Sequence, residues 1–320
     1  MPPVNRFFAI IIIVTCLPML SNCSKKPKGP DFRPLTSHEA ALMAPDPLTS
    51  RPRPDLRIEE DLPLERKEAL GDLLLRTKEY EGSLYHYIQI LQKEPYRADI
   101  RYKVGAILLL RGKYKEAREE FTKALAADPD MLEAREALGL TYLQEKEYNL
   151  AIREFKTVLS KDNRRAQTHQ LLGATYLMAD QPREAIRELE IAHSLNPGNL
   201  STFAALGQAH NKAKDYQKAL SILKKGQSLD PNHKKINYQI GMALAGLGRY
   251  DEAFAAFSKG ADEAQAYNNI GVHYFMEGQY EIAAKCFQKA LELRPVFYQE
   301  AKNNLDRALE KLQEGKKGSL

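Results

Sequence analysis

The residues able to do chemistry are few in this chain and poorly spaced for it. Seven histidines occur (His38, His86, His169, His193, His210, His233 and His273), and none falls in the HExxH spacing that sets two zinc ligands on one helix face. The run from Gly105 to Lys113, GAILLLRGK, resembles a phosphate-binding loop only in its ends. Its spacing is wrong, its middle is helix core, and Gly112 reads as a turn between helices. There is no Gly-x-Ser-x-Gly elbow to expose a nucleophile, and Glu119-Glu120 reads as a solvated helix face. Of the three cysteines, Cys286 stands alone beside Phe287 and reads as a partly buried free thiol, while Cys16 and Cys23 sit near the start. These residues argue against an enzyme, and no metal, cofactor or small-molecule substrate is expected.

What would position any binding residue is a periodic frame. A glycine recurs at the eighth position of a 34-residue beat: Gly71, Gly105, Gly139, Gly173, Gly207, Gly241, and then Gly271 after 30. Counting from Leu64, position 7 is aliphatic throughout (Leu70 to Ile270) and position 17 is Tyr except at Pro182. Position 20 is small, position 24 is bulky (Tyr87, Phe121, Phe155, Leu189, Leu223, Phe257, Phe287), and position 32 is Pro95, Pro129, Pro197, Pro231 or Pro295, with Asn163 once. Positions 4, 7, 8 and 11 share one helical stripe, and 17, 20, 24 and 27 share another. The beat therefore predicts two helices and a turn per unit, with the backbones close at positions 8 and 20. Proline at 32 ends the second helix. One unit cannot bury its own apolar face, so neighbours must stack.

The pattern Leu-Gly, Tyr, Ala, Phe, Ala, Pro resembles the tetratricopeptide repeat. That resemblance implies an all-α fold, a right-handed superhelical solenoid of helix-turn-helix units. Seven units are read: 64–97, 98–131, 132–165, 166–199, 200–233, 234–263 and 264–297, with a capping helix at 298–314 and a tail at 315–320. The sixth unit is four residues short and lacks its Asp-Pro stop, which predicts a trimmed second helix near Gly260 and an altered stacking angle.

In this family a second stripe of the first helix, at positions 2, 5, 9 and 12, lines a concave ligand groove. Here that stripe is Glu68, Asp72 and Leu75, then Tyr102, Ala106 and Leu109, then Glu136, Leu140 and Leu143. It continues as Gln170, Ala174 and Leu177, then Ala204, Gln208 and Asn211, then Tyr238, Met242 and Ala245, and ends at Asn268, Val272 and Phe275. A clamp for acidic C-terminal tails is not expected, because Glu68 and Asp72 are acidic where it needs Lys and Asn, and only Asn269 fits. The candidate peptide-binding residues are Tyr102, Leu109, Leu140, Leu143, Leu177, Gln208, Tyr238, Met242, Asn268, Asn269, Val272 and Phe275. They suit an apolar or amphipathic protein segment. The alternative is that positions 9 and 12 only pack adjacent first helices together.

Residues 1–23 have the layout of an export signal: Arg6, then the apolar run FFAIIIIVTCLPML, too short for a bilayer span. The run ends in Leu20-Ser21-Asn22-Cys23 and resembles a bacterial lipoprotein signal, which implies lipidation at Cys23. Asn22 departs from that pattern, and an uncleaved anchor or a plain cleaved signal are the alternatives. Residues 24–63 carry eight prolines and read as a disordered tether able to reach on the order of 100 Å if stretched. Net charge is +5 over 320 residues and spread evenly, which does not favour a nucleic-acid partner. Together these features resemble bacterial lipoproteins that assist pilus and secretin assembly, of the tight-adherence or type IV systems. The resemblance implies a membrane-tethered scaffold at the outer membrane facing the periplasm, or an inner-membrane anchored one. The alternatives are an adaptor for peptidoglycan hydrolases or outer-membrane protein insertion, and a regulatory module on an uncleaved anchor.

Overall fold

Residues with apolar side chains at helical spacing and turn residues every 34 produce helical hairpins end to end. The computed structural model describes residues 62–294 and 298–317. The signal-type segment with Cys23, the tether up to residue 61, Pro295 and the last three residues lie outside them. All described residues fall in one unit, Leu62–Leu320.

Fifteen helices are described. First and second helices alternate as α1 (Leu64–Arg76), α2 (Tyr80–Lys93), α3 (Ala98–Leu110), α4 (Tyr114–Ala127), α5 (Leu132–Gln144) and α6 (Tyr148–Lys161). They continue as α7 (Ala166–Met178), α8 (Pro182–Leu195), α9 (Leu200–Lys212), α10 (Tyr216–Leu229), α11 (Lys234–Gly246) and α12 (Tyr250–Gly260). The seventh pair is α13 (Glu263–Met276) and α14 (Tyr280–Leu293), and α15 (Gln299–Lys317) packs on that pair. The described residues form an all-α solenoid of seven helix-turn-helix pairs and one extra helix.

Close approach within each pair comes from position 8. A Cβ on Gly105 would lie 2.7 Å from the Phe121 ring, and one on Gly241 would lie 2.5 Å from the Phe257 ring. Every unit repeats this, so the position-24 side chain sits where a larger residue at position 8 would need to be. Phe121, Phe155, Phe257 and Phe287 are fully or almost fully buried as a result. Such rings pack at crystal-like density, which leaves no slack for an added methyl.

The turns share one device that the proline and tyrosine signals do not reveal. Position 15 has positive φ in all seven units: Lys78, Gly112, Lys146, Asp180, Lys214, Gly248 and Gly278. Each ends its first helix with paired hydrogen bonds of the Schellman kind, as where Glu147 N–H donates to Tyr142 C=O (2.9 Å) and Lys146 N–H to Leu143 C=O (3.1 Å). Four of the seven are not glycine, so those units hold an L-residue in a left-handed conformation.

The sixth unit is trimmed where expected. Helix α12 has 11 residues against 14 in the other second helices, and a Cβ on Gly260 would lie 2.6 Å from the Tyr238 backbone nitrogen. Asp262 then replaces the missing Asp-Pro stop: its side chain accepts from Gln265 N–H at 2.8 Å and caps α13.

Position 4 departs from the expected apolar stripe. It holds Arg101, Arg135, His169 and Asn237, which reach back to the position-32 backbone carbonyls of Pro95, Pro129, Asn163 and Pro231 at 2.7, 3.3, 3.2 and 2.9 Å. Three of them also bind the position-23 carboxylate of their own unit: Arg101 with Glu120, Arg135 with Glu154 and His169 with Glu188. A polar side chain there ties first helix, second helix and incoming loop together.

Candidate functional site

First helices of neighbouring units touch one another, α9 with α11 most extensively, whereas neighbouring second helices are not packed to that degree. The first helices therefore form the inner side of the array. That side is where the sequence placed its candidate residues.

Position 5 is largely spent on joining units. Glu68 receives hydrogen bonds from Arg97 and Lys103, both at 2.8 Å. Glu136 receives them from Arg165 at 2.9 Å and Thr168 at 2.7 Å, and Gln170 from Asn199 at 3.0 Å. Asn268, 1% exposed, accepts from Asn304 of α15 at 3.0 Å. Asn268 is therefore a structural link between the last pair and the capping helix, not a free groove amide. The first two units add Asp72, which accepts from the Tyr87 hydroxyl at 2.6 Å and from Lys103 at 2.8 Å. Burial, then the hydrogen bond and charge of Asp72, push the Tyr87 phenol well above its usual range. Burial opposes the charge on Lys103, but its bonds to Asp72 and Glu68 outweigh that and raise its pKa.

The aliphatic middle of the stripe is closed. Leu140, Leu143 and Leu177 are each 6% exposed and Leu109 is 9% exposed. Their side chains are covered in the array.

Two stretches remain half-buried and accessible. Tyr102 leans on Phe121, with ring centres 6.0 Å apart, and its phenol is pushed up to about 12 by burial and then by Glu133 and Glu136. Further along, Gln208, Tyr238 and Met242 lie on successive first helices, followed by Asn269, Val272 and Phe275. Tyr238 leans on Phe257 at 5.5 Å, and burial, then the nearby Glu300, raises its phenol. Asn211 donates to the Gln239 carbonyl at 2.9 Å. Phe275 has the Arg307 guanidinium of α15 over its ring at 5.1 Å, so the capping helix covers part of this end.

The groups with chemical potential are scattered. Among the described residues no cluster of three or more His, Cys, Asp or Glu side chains is placed to hold a metal. Burial pushes the Cys286 thiol up and the His273 imidazole down, which disfavours a thiolate and an imidazolium respectively. No helix among the described residues is long and apolar enough to cross a membrane. Sequence reasoning missed the position-5 links. Their signal was present as hydrogen-bonding pairs recurring 29 and 32 residues apart, such as Glu136 with Arg165 and Thr168.

Family models described as tetratricopeptide repeat match residues 68–131, 108–175 and 264–297. A model of anaphase-promoting complex, cyclosome, subunit 3 matches residues 181–260. No curated protein matches the chain by sequence. Among solved structures, it is similar to a tetratricopeptide repeat protein from Parabacteroides merdae at 17% identity and TM-score 0.60, covering 77% of this chain and 98% of that one. It is also similar to the C-terminal part of a repeat-containing protein from Cytophaga hutchinsonii (19% identity, TM-score 0.56, 73% and 98% covered). A third is pilF of Pseudomonas aeruginosa (23% identity, TM-score 0.50, 64% and 95% covered). At these identities the likeness establishes the fold.

Proposed function

We propose that this chain, whose fold is that of a tetratricopeptide-repeat array, captures a protein segment on the first-helix face around Gln208, Tyr238 and Met242. The array is a protein-interaction scaffold; the location of its binding face and its place in the cell are the proposal. The observation that carries the location is accessibility. Leu140, Leu143 and Leu177 are covered, while a ring, a thioether and an amide that are only partly buried lie on the neighbouring helices α9 and α11. Ring and methyl contacts from Tyr238 and Met242 suit the apolar side of an amphipathic segment, and Gln208 suits its backbone. Met242→Glu with Tyr238→Ala should abolish partner binding with the fold intact by circular dichroism. Unchanged binding in that folded variant would reject the face.

The cellular setting rests on the sequence. Residues 1–23 with Cys23, the Pro-rich segment 24–63 and a scaffold behind it suit a lipid-anchored envelope protein assisting assembly of a pilus or secretion machine. An adaptor for peptidoglycan hydrolases or outer-membrane protein assembly fits the same layout, and an uncleaved anchor is the competing topology. Processing of the precursor is the direct test. Globomycin or Cys23→Ala should each cause the unprocessed form to accumulate, and processing indifferent to both would favour the anchor.

A further inference from the structure

Every first helix runs one way and every second helix returns, so second helices end and the next first helices begin along one edge of the array. The charge that looks even over the whole chain is uneven here. Residues 64–199 hold 22 Lys and Arg and 22 Asp and Glu, whereas residues 200–260 hold nine and four. Early along the edge three cations are neutralised. Arg97 is held by Glu68, Glu94 and Asp99, Lys161 by Asp130, and Arg165 by Glu133 and Glu136. Later along it, Lys225, Lys234, Lys235 and Lys259 are exposed and form no ion pair among the described residues.

Exposed aliphatic side chains stand on the same stretch. Leu229 ends α10 and is 57% exposed; Leu195, at the same position of the preceding unit, is 39% exposed. Ile191, one helical turn before Leu195, is 41% exposed, and Lys225 holds the matching place before Leu229. Helix α11 then opens with Lys234-Lys235 and has no acidic residue in its first turn, where α1, α3 and α5 have Glu65, Asp99 and Glu133. A helix N-terminus carries partial positive charge, so two cations there cost stability until an anionic surface faces them.

The side-chain types select the occupant. Protein interfaces are depleted in lysine and draw on aromatic residues and arginine seated in pockets. Unpaired lysines interspersed with single exposed aliphatic groups suit a bilayer instead, with the lysines on anionic headgroups and the aliphatic groups at the acyl boundary. We propose that this edge, at the fourth to sixth units, docks on an anionic lipid bilayer through Ile191, Leu195 and Leu229 and the lysines at 225, 234, 235 and 259. The surface is separate from the Tyr238–Met242 face and does not require lipidation of Cys23.

The chain has no tryptophan, so Leu229→Trp gives the full chain a single fluorescent reporter. The full chain is reconstituted in vesicles of phosphatidylcholine, alone or mixed with phosphatidylglycerol, with brominated acyl chains as the quencher. Emission should shift to the blue and be quenched only where phosphatidylglycerol is present. Lys234→Gln with Lys235→Gln should lower the ratio of docked to undocked protein about tenfold. Met178→Trp, 53% exposed at the end of α7 and so on the opposite edge, should respond to neither vesicle. An unquenched Leu229→Trp, equal quenching without phosphatidylglycerol or at Met178→Trp, or quenching indifferent to the lysine changes would overturn the proposal. A blue shift brought about by soluble polyglutamate in phosphatidylcholine vesicles would assign the edge to an acidic protein and overturn it too. Should Leu229→Trp fail to fold, Leu195→Trp takes its place with the same outcomes.

Discussion

At the scale of single residues, the array depends on positions with no room to change. Gly241 illustrates this, because a methyl there meets the Phe257 ring at 2.5 Å while the helix around it would otherwise welcome alanine. Overpacking of this kind costs about 1–3 kcal/mol, more than the propensity gain of about 1 kcal/mol, so Gly241→Ala should lower the melting temperature. Gly315, whose added Cβ would meet nothing within 4 Å, is the control, and Gly315→Ala should not lower it. Charge gives a second residue-scale expectation. Hydrogen bonds from Arg97 hold the Asp99 carboxyl below its usual range. A depressed folded-state carboxylate contributes stability above its unfolded pKa of about 3.9 and loses it as pH falls through the folded value. Asp99→Asn should therefore be less stable than wild type at neutral pH, with the gap closing in acid. A gap independent of pH in urea titrations would contradict the assignment.

At the scale of elements, the turn at position 15 sets how each hairpin closes. Lys146 and Lys214 hold φ of 64° and 61°, a region that costs an L-residue roughly 1 kcal/mol or more. Lys146→Gly and Lys214→Gly should raise thermal stability, and the reverse change Gly112→Lys should lower it. Melting curves with the opposite order would show that side-chain contacts outweigh backbone conformation. This device was hidden in the sequence because lysine and aspartate occupy it in four units, whereas Gly105 and Phe121 declare their crossing plainly. Crossings are legible because partners 16 residues apart must meet within one hairpin. The trimmed α12 was legible for the same reason, since a missing stretch in the beat has to come out of a local element.

At the scale of the whole molecule, periodicity alone cannot say which stripe faces a neighbour and which faces solvent. Leu140, Leu143 and Leu177 have the spacing of groove residues and yet are covered. How far one first helix leans over the next depends on the pitch of the array, a tertiary quantity that no single unit encodes. Tyr238 and Met242 are only partly buried, in the unit where α12 is short and the following pair begins early. The position-5 links belong here too, because their partners lie in different units and appear only once the units are stacked. An array whose inner side is covered at Leu140, Leu143 and Leu177 and more open around Tyr238 and Met242 should bind at the open stretch and not uniformly along its length.

Photo-crosslinking in cells tests that claim most directly. With p-benzoylphenylalanine introduced singly at Tyr238, Met242, Leu140 and the outward-facing Lys224, Tyr238 and Met242 should yield adducts with one common partner. Leu140 and Lys224 should yield none with it. Equal adducts at Lys224, or a shared partner trapped at Leu140 in a folded protein but not at Met242, would contradict the account.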